Sequence, residues 1–151
     1  LEYEANGVIG QLNHVWWSIS SWIPNAALVA REMAPKIAER LRNYEVQAAL
    51  LIPASRLCHQ TLGIVAREIE SHGIPTMMVA VDRAAVDRVR PPRAAYYDGE
   101  FGSVAGKPNW KQYQARILDE SLRWIETFDQ PTARKLVVDL ETEVEKSRGE
   151  R

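Results

Sequence analysis

The densest group of chemically versatile side chains lies in the turn that follows an apolar run at residues 46–52. It combines a thiol, an imidazole, a guanidinium, an amide and two hydroxyls, at Ser55, Arg56, Cys58, His59, Gln60 and Thr61. Cys58 is the single cysteine among 151 residues, so this chain alone can build neither an internal disulfide nor a cysteine-based zinc site. Any thiol chemistry must therefore run through Cys58.

The position of Cys58 favours either a reactive sulfur or an anion site. A helix is predicted from about Cys58 to His72, so unpaired backbone N–H groups and the positive end of the helix dipole face the sulfur, with Arg56 two residues away. Both effects favour thiolate over thiol, and a helix N-terminus can lower the pKa of a cysteine below about 8.5. The same geometry would hold a carboxylate or phosphate. A packing role is the alternative, because free cysteine is among the most buried residue types.

Several neighbours of Cys58 are candidates to bind a substrate. His59 is turned about 100° away from Cys58 on a helix, which makes it a poor general base for the thiol. We expect His59 to cap a backbone group or line the pocket, together with Arg56, Gln60 and Thr61. These residues and the candidate nucleophiles Cys58 and Ser55 make up the predicted site.

A second guanidinium candidate lies further along the chain. Arg93 follows the rigid Pro91-Pro92 pair, and a guanidinium group binds a carboxylate through two parallel hydrogen bonds. Arg93 is therefore predicted to hold a substrate carboxylate. The alternative is a solvated strand edge, on which Asp87 and Asp98 neutralise the local arginines.

The elements that position these residues read as an α/β fold. Two apolar runs, 46–52 and 74–81, are typical of strands buried on both faces of a parallel sheet, and a helix of about fifteen residues connects them. This βαβ core, with a third strand at about 94–97, predicts a short parallel sheet with flanking helices. Ligands bind beyond the carboxyl ends of such strands, which is where the turn before Cys58 lies.

The remaining segments are predicted to surround this sheet. A helix ends at Asn6-Gly7, a packed loop with three tryptophans fills 11–24, and a helix capped by Asn25 is kinked or divided at Pro35. Further helices are expected from near residue 109 and over 132–147. Trp16, Trp17 and Trp22 either pack this loop or line a pocket through cation–π contacts.

Charge and hydropathy exclude several classes of protein. Nineteen basic and twenty acidic residues leave no excess that would attract nucleic acid or anionic lipid. The apolar runs fall far short of the roughly 20 residues of a membrane helix, and the first residues do not resemble a signal peptide. We therefore expect a cytoplasmic protein that binds neither nucleic acid nor membrane.

No cofactor site is recognisable in the sequence. The three histidines, at positions 14, 59 and 72, lack metal-ligand spacing, and the glycines at 99, 102 and 106 do not form a phosphate-binding fingerprint. We expect neither a metal nor another cofactor.

An ordered series of motifs links this site to a known family. The series consists of GVIG at 7–10, PASRLCHQ at 53–60, VAREIE at 65–70, GIPT at 73–76, RPPR at 90–93 and GKP at 106–108. It resembles the B-subunit family of the glycine, sarcosine, betaine and D-proline reductases, the selenoprotein B family, over roughly residues 5–125. The resemblance implies a single α/β domain at 1–128 that matches the C-terminal part of a longer family domain. Residues 129–151 are predicted to form a C-terminal helix and charged tail.

The resemblance also implies a chemistry. In the family, a selenocysteine or cysteine attacks the substrate and breaks a carbon–nitrogen bond reductively, and a second cysteine three positions later closes a bridge that a dithiol reduces. The first position falls on Ser55 and the second on Cys58. Because a serine oxygen cannot cycle between oxidised and reduced forms, a self-contained two-sulfur mechanism is not available here.

Three functions are compatible with this departure. Cys58 acts alone as the thiol of an oxidoreductase on carbon–nitrogen bonds, and an external thiol, a thioredoxin-like reductant or a partner subunit resolves its adduct. Alternatively, the chain is a non-catalytic subunit that binds a small anion or serves as a scaffold. The third is a non-redox acyl transfer or elimination through Ser55 or Cys58. The expected partners are a small carboxylate or amino-acid-like substrate and other subunits in a homo- or hetero-oligomer.

Overall fold

The sheet has four parallel strands. The computed structural model describes residues 2–20, 23–102, 108–127 and 129–136. Its strands are β1 (Ala49–Leu51), β2 (Thr76–Ala80), β3 (Arg93–Tyr96) and β4 (Thr132–Lys135). They lie side by side in sequence order, and every neighbouring pair is parallel. The first three match the predicted strands to within a few residues, which confirms the predicted α/β fold.

Helices precede the sheet and connect its strands. They are α1 (Glu2–Ala5), α2 (Ala26–Leu28), α3 (Ala34–Asn43), α4 (Arg56–Ser71), α5 (Arg83–Val89) and α6 (Lys111–Thr127). A π-helical turn, Val29–Met33, joins α2 to α3. In the described part of the chain, no helix is long and apolar enough to cross a membrane.

Strand β2 is buried on both faces and organises the core. Met78 and Ala80 pack with Val86 of α5 and Leu62 of α4 on one face. The alternate residues of β2 join apolar side chains of α6 on the other face, in a cluster that includes Met77, Val79, Ile117, Trp124 and Ile125. Helix α3 packs against α4, in an apolar cluster that also includes Ala49 and Leu51 of β1. The site is therefore built on a sheet whose central strand has no solvated face.

The segment around Pro35 is one helical stretch with a local change of period. Asn25 caps its beginning, since its Oδ1 accepts hydrogen bonds from the N–H groups of Ala27 and Leu28. The N–H of Ala34 then bonds to the carbonyl of Val29, five residues back, before α3 continues with Pro35 near its start. The predicted break at Pro35 is thus a π-helical turn just before it.

The N-terminal segment is anchored to α6. Helix α1 ends before Gly7, as predicted, and Gly7 takes the left-handed conformation that turns the chain (φ +69°). The hydroxyl of Tyr3 donates to Asp119 Oδ1 at 2.6 Å. Burial and this hydrogen bond to Asp119 raise the pKa of Tyr3 above its ordinary value.

The prediction of a helix over 132–147 is wrong for its first residues. Residues 132–135 form β4, whose edge pairs with β3: the Thr132 N–H donates to the Pro92 carbonyl and the Leu136 N–H to the Tyr96 carbonyl, each at 2.8 Å. A strand edge with unpaired backbone groups stabilises an extended partner more than weak helix propensity stabilises a helix. The rest of that predicted helix and the charged tail, residues 137–151, lie outside the described residues.

Candidate active site at the carboxyl edge of the sheet

The predicted site lies where the strands β1 and β2 end. Ser55 and α4 follow β1, Asp82 and α5 follow β2, and Phe101 belongs to the loop after β3. The structure brings Ser55, Arg56, Cys58 and His59 together at this edge, as the βαβ prediction requires.

Ser55 and Cys58 are in direct contact. Ser55 caps α4: its Oγ accepts a hydrogen bond from the Cys58 N–H at 3.2 Å. The same hydroxyl donates to Cys58 Sγ, also at 3.2 Å. A hydroxyl donor and a helix N-terminus both stabilise a thiolate more than a thiol. Cys58 is half-buried, so the sulfur is neither sealed in the core nor fully solvated.

Both ring nitrogens of His59 form hydrogen bonds with backbone groups. The residue is fully buried, its Nδ1 lies 2.6 Å from the Ser55 carbonyl oxygen, and its Nε2 lies 3.1 Å from the Val81 nitrogen. Since a backbone N–H can only donate, Nε2 is the acceptor and Nδ1 carries the proton. The expected backbone cap is present. Both ring nitrogens are thus occupied by backbone partners, and a role of His59 in substrate binding stays a prediction.

Arg56 extends from the site towards α5. It forms an ion pair with Asp82 at 3.3 Å, and its guanidinium lies over the Phe101 ring at 5.5 Å. Burial works to raise the pKa of Asp82, but hydrogen bonds from the Ala85 N–H and from Arg56 outweigh it and hold the pKa below its usual range. The side chain of Arg56 is 68% exposed and remains available to a ligand.

A small cleft of about 140 Å³ begins at Arg56. Asp82, Ala84, Ala85 and Arg88 line its remaining walls. Two guanidinium groups and one carboxylate therefore border a space suited to a small polar molecule.

Gln60 and Thr61 lie one turn further along α4. Gln60 is half-buried, whereas Thr61 is only 5% exposed. Of the two, Gln60 is the side chain that a ligand at the edge could reach.

Arg93 is at the opposite edge of the sheet from Cys58. It begins β3, and its guanidinium pairs with Glu70 Oε2 at 2.5 Å near the C-terminal end of α4. Glu70 also accepts hydrogen bonds from the N–H and hydroxyl of Thr76 at the start of β2. Arg93 therefore lies apart from Cys58 and its neighbours, and its binding of a substrate carboxylate stays a prediction. It borders a wide cleft of about 610 Å³ at the other edge.

Three residues now placed at the site, Asp82, Arg88 and Phe101, were not among the predicted ones. Asp82 caps α5, and an Asp directly before an alanine-rich segment is a recognisable capping signal. Phe101 packs edge-on against His59, with the ring centroids 5.7 Å apart. No local pattern points to Phe101, because its partners are distant in sequence.

The tryptophan loop packs in part as expected. Trp17 lies edge-on against Tyr44 at 5.6 Å, next to the cluster between α3 and α4, while Trp16 is 77% exposed. Trp22 lies outside the described residues. Within the ranges that the structure describes, no three His, Cys, Asp or Glu side chains gather as metal ligands.

Two known proteins are similar in sequence to this chain. The chain is 35% identical over 108 residues to the D-proline reductase subunit gamma of Acetoanaerobium sticklandii, a match covering 72% of this chain and 44% of that protein. It is 37% identical over 81 residues to the glycine reductase complex component B subunit gamma of Symbiobacterium thermophilum, covering 52% of this chain and 18% of that protein.

The chain spans less than half the length of the relatives it matches. No protein-family model and no solved structure matches it. The two homologues agree with the family indicated by the motifs around Ser55 and Cys58. The chain belongs to the reductase B-subunit family.

Proposed function

We propose that this chain supplies a single-thiol site to a reductase complex of the glycine and D-proline type, with Cys58 as the nucleophile. The observation that carries the proposal is the Ser55 hydroxyl, which donates to Cys58 Sγ at the first turn of α4. This pair of side chains lies at the edge of the sheet where α/β proteins bind ligands. The names of the two relatives support the complex and the substrate class.

The proposed substrate is a small amino acid or an N-substituted relative. Such molecules carry a carboxylate beside the carbon–nitrogen bond. Arg56 is the group that would bind the carboxylate, with Arg88 across the small cleft. Because Cys58 does not line this cleft, the substrate must extend beyond it for its carbon to meet the sulfur. Gln60, half-buried on α4, is the proposed hydrogen-bond partner of the nitrogen or carboxylate.

The reaction proceeds through a thioether. The Cys58 thiolate attacks the α-carbon, so the carbon–sulfur bond forms as the carbon–nitrogen bond breaks, and the nitrogen leaves with a proton as an amine. An external thiol then attacks Cys58 Sγ, and the electrons of the carbon–sulfur bond pass to carbon, which takes up a proton. Cys58 remains in a mixed disulfide. A second external thiol restores it, so two thiols are oxidised as the substrate carbon gains two electrons.

The experiment is alkylation of the purified protein with iodoacetamide between pH 6 and 7. We expect Cys58 to react faster than a model thiol such as N-acetylcysteine, because the helix N-terminus and the Ser55 hydroxyl favour the thiolate. Mass spectrometry follows the modification. A rate equal to or slower than that of the model thiol would refute the proposal.

The two arginines also favour a second function, which is non-catalytic binding of a small anion. In that case a Cys58→Ala variant would bind glycine or acetate as well as the wild type does, and would still support turnover when added to the partner subunits. Loss of turnover with intact carboxylate binding would instead assign the chemistry to the thiol. Calorimetric titration and amine release measure the two properties separately.

A further inference from the structure

His59 connects the start of α4 to the end of β2. Its Nδ1–H donates to the carbonyl of Ser55, and its Nε2 accepts from the N–H of Val81, just after β2. The side chain is completely buried, with the edge of Phe101 against its ring. A buried imidazole with both nitrogens bonded has one tautomer and one orientation.

The hydrogen bond from His59 holds the backbone of Ser55 in place through its carbonyl oxygen. The Ser55 carbonyl also accepts the first backbone bond of α4, from the His59 N–H at 3.1 Å. The Ser55 hydroxyl, on the same residue, contacts both the N–H and the sulfur of Cys58. Displacement of the Ser55 backbone would therefore lengthen the hydrogen bond from the hydroxyl to the sulfur.

We infer that His59 is a positioning residue for the thiol, acting through Ser55 and not on the sulfur itself. The inference rests on the proposed function, in which Cys58 reacts as a thiolate. Neither ring nitrogen is free to take a proton from Cys58 or to bind substrate. His59 instead keeps the Ser55 hydroxyl at the distance from which it stabilises the negative sulfur.

Two conservative substitutions separate the two hydrogen bonds of the ring. In His59→Asn the amide nitrogen takes the place of Nδ1 and keeps the donor to the Ser55 carbonyl. In His59→Gln the longer amide reaches the place of Nε2, where its oxygen accepts from Val81, and the bond to Ser55 is lost. His72→Gln, at the exposed C-terminal end of α4, is the matched control.

The experiment measures the rate of Cys58 alkylation by iodoacetamide from pH 5 to 10 in the wild type and the three variants. We expect the midpoint of the profile to be unchanged in His59→Asn and His72→Gln. In His59→Gln it moves upward by about one pH unit, with alkylation about tenfold slower at pH 6 to 7. Circular dichroism and thermal unfolding show whether each variant is folded.

A double-mutant cycle tests the route through Ser55. Ser55→Ala is expected to shift the midpoint as His59→Gln does, and the double variant to shift it no further, because both remove the same hydrogen bond to sulfur. Additive shifts would contradict the route. If either variant fails to fold, nitrogen-15 spectra of the wild-type imidazole provide the test: the proton must reside on Nδ1, and an Nε2–H tautomer overturns the inference.

The outcomes also separate this inference from the proposed function. An unreactive wild-type thiol refutes the function itself. Two other outcomes refute only the positioning role. In the first, the wild-type thiol is reactive and both His59 variants have the same alkylation profile as the wild type. In the second, the midpoint moves upward equally in both variants.

Discussion

At the scale of single residues, the Ser55 hydroxyl combines two roles that are separate in most helices. It caps α4 by accepting from the Cys58 N–H, and it donates its own proton to the Cys58 sulfur. The spacing of three residues thus brings an oxygen and a sulfur into contact. A serine oxygen in this position can donate to the sulfur but cannot form a disulfide with it.

This contact predicts that Ser55→Cys creates a redox pair. The introduced sulfur would replace an oxygen 3.2 Å from Cys58 Sγ, which is close enough for a disulfide after a small adjustment. We expect mild oxidation to remove both free thiols and dithiothreitol to restore them, as counted with Ellman's reagent. The variant also loses the oxygen cap, at a cost of about 1 kcal/mol in the free energy of unfolding.

Ser71→Cys is the control for this experiment. Ser71 is at the other end of α4, where its hydroxyl bonds to the Glu68 carbonyl. That variant should keep two free thiols under the same oxidation. If oxidised Ser55→Cys also kept two, the contact described for Ser55 and Cys58 would be wrong.

At the scale of elements, α4 and α5 pack closely together at Gly63. A Cβ built on Gly63 would overlap the side chain of Val89, so the glycine allows these helices to pack. Arg67, one turn further along α4, donates to the carbonyls of Val89 and Arg90 at the end of α5. The position of α5, and with it Asp82 and Arg56, therefore depends on this approach.

Gly63→Ala is expected to destabilise the fold. Overpacking against Val89 costs about 1–3 kcal/mol, which exceeds the gain of about 1 kcal/mol from replacing glycine in a helix. Urea unfolding would show the lower midpoint. Gly10→Ala is the matched control, because a Cβ there meets no atom within 4 Å. An unchanged or higher midpoint for Gly63→Ala would contradict the packing described.

The elements show which features the sequence could predict. The long helix α4, its cap and the strands on either side follow from apolar patterns and from a Ser at the helix start. The seven-residue α5 is too short for its period to be recognised. Strand β4 depends on the free edge of β3, which is a tertiary effect. Periodicity from Leu136 onwards therefore predicted a helix that included residues 132–135, and these pair with β3 instead.

The site was predictable only where it is local in sequence. Ser55, Arg56, Cys58 and His59 occupy one turn, so the end of one strand places them together. Arg93 shows the limit: its carboxylate-binding chemistry was recognised, but a residue that begins a parallel strand lies at the edge opposite to one that follows a strand. The contact of Phe101 with Arg56 and His59 depends on a loop path that no local pattern fixes.

At the scale of the whole molecule, charged groups occupy both ends of the sheet. Asp82 and Arg56 pair at the carboxyl edge, and Glu70 and Arg93 pair at the amino edge. The depressed pKa of Asp82 links the folding equilibrium to pH. A carboxyl group whose pKa is lower in the folded state adds stability above its unfolded pKa, and this stability is lost as the pH falls through the folded value.

Asp82→Asn tests this linkage. Asparagine still caps α5 but cannot pair with Arg56, so we expect the variant to be less stable by about 1 kcal/mol at pH 7. The difference from the wild type should disappear at acid pH, where the Asp82 carboxylate is protonated. Urea unfolding at several pH values measures it. Asp87→Asn, on an exposed ion pair, should give no such pH-dependent difference, and a constant difference for Asp82→Asn would contradict the linkage.

The π-helical turn before α3 makes the packing of residues 29–34 depend more on the number of residues in the turn than on their types. Val29 and Ala34 lie five positions apart, and both are buried. In a regular α-helix, side chains at this spacing would point about 140° apart. Three of the four residues between them, 30–32, are exposed, and Met33 is half-buried. Substitutions at these exposed positions leave the phase of the helix intact. A single deletion there would bring Val29 and Ala34 to the four-residue spacing of a regular α-helix, which keeps both on the buried face, whereas a single insertion would rotate Val29, and everything before it, away from α4.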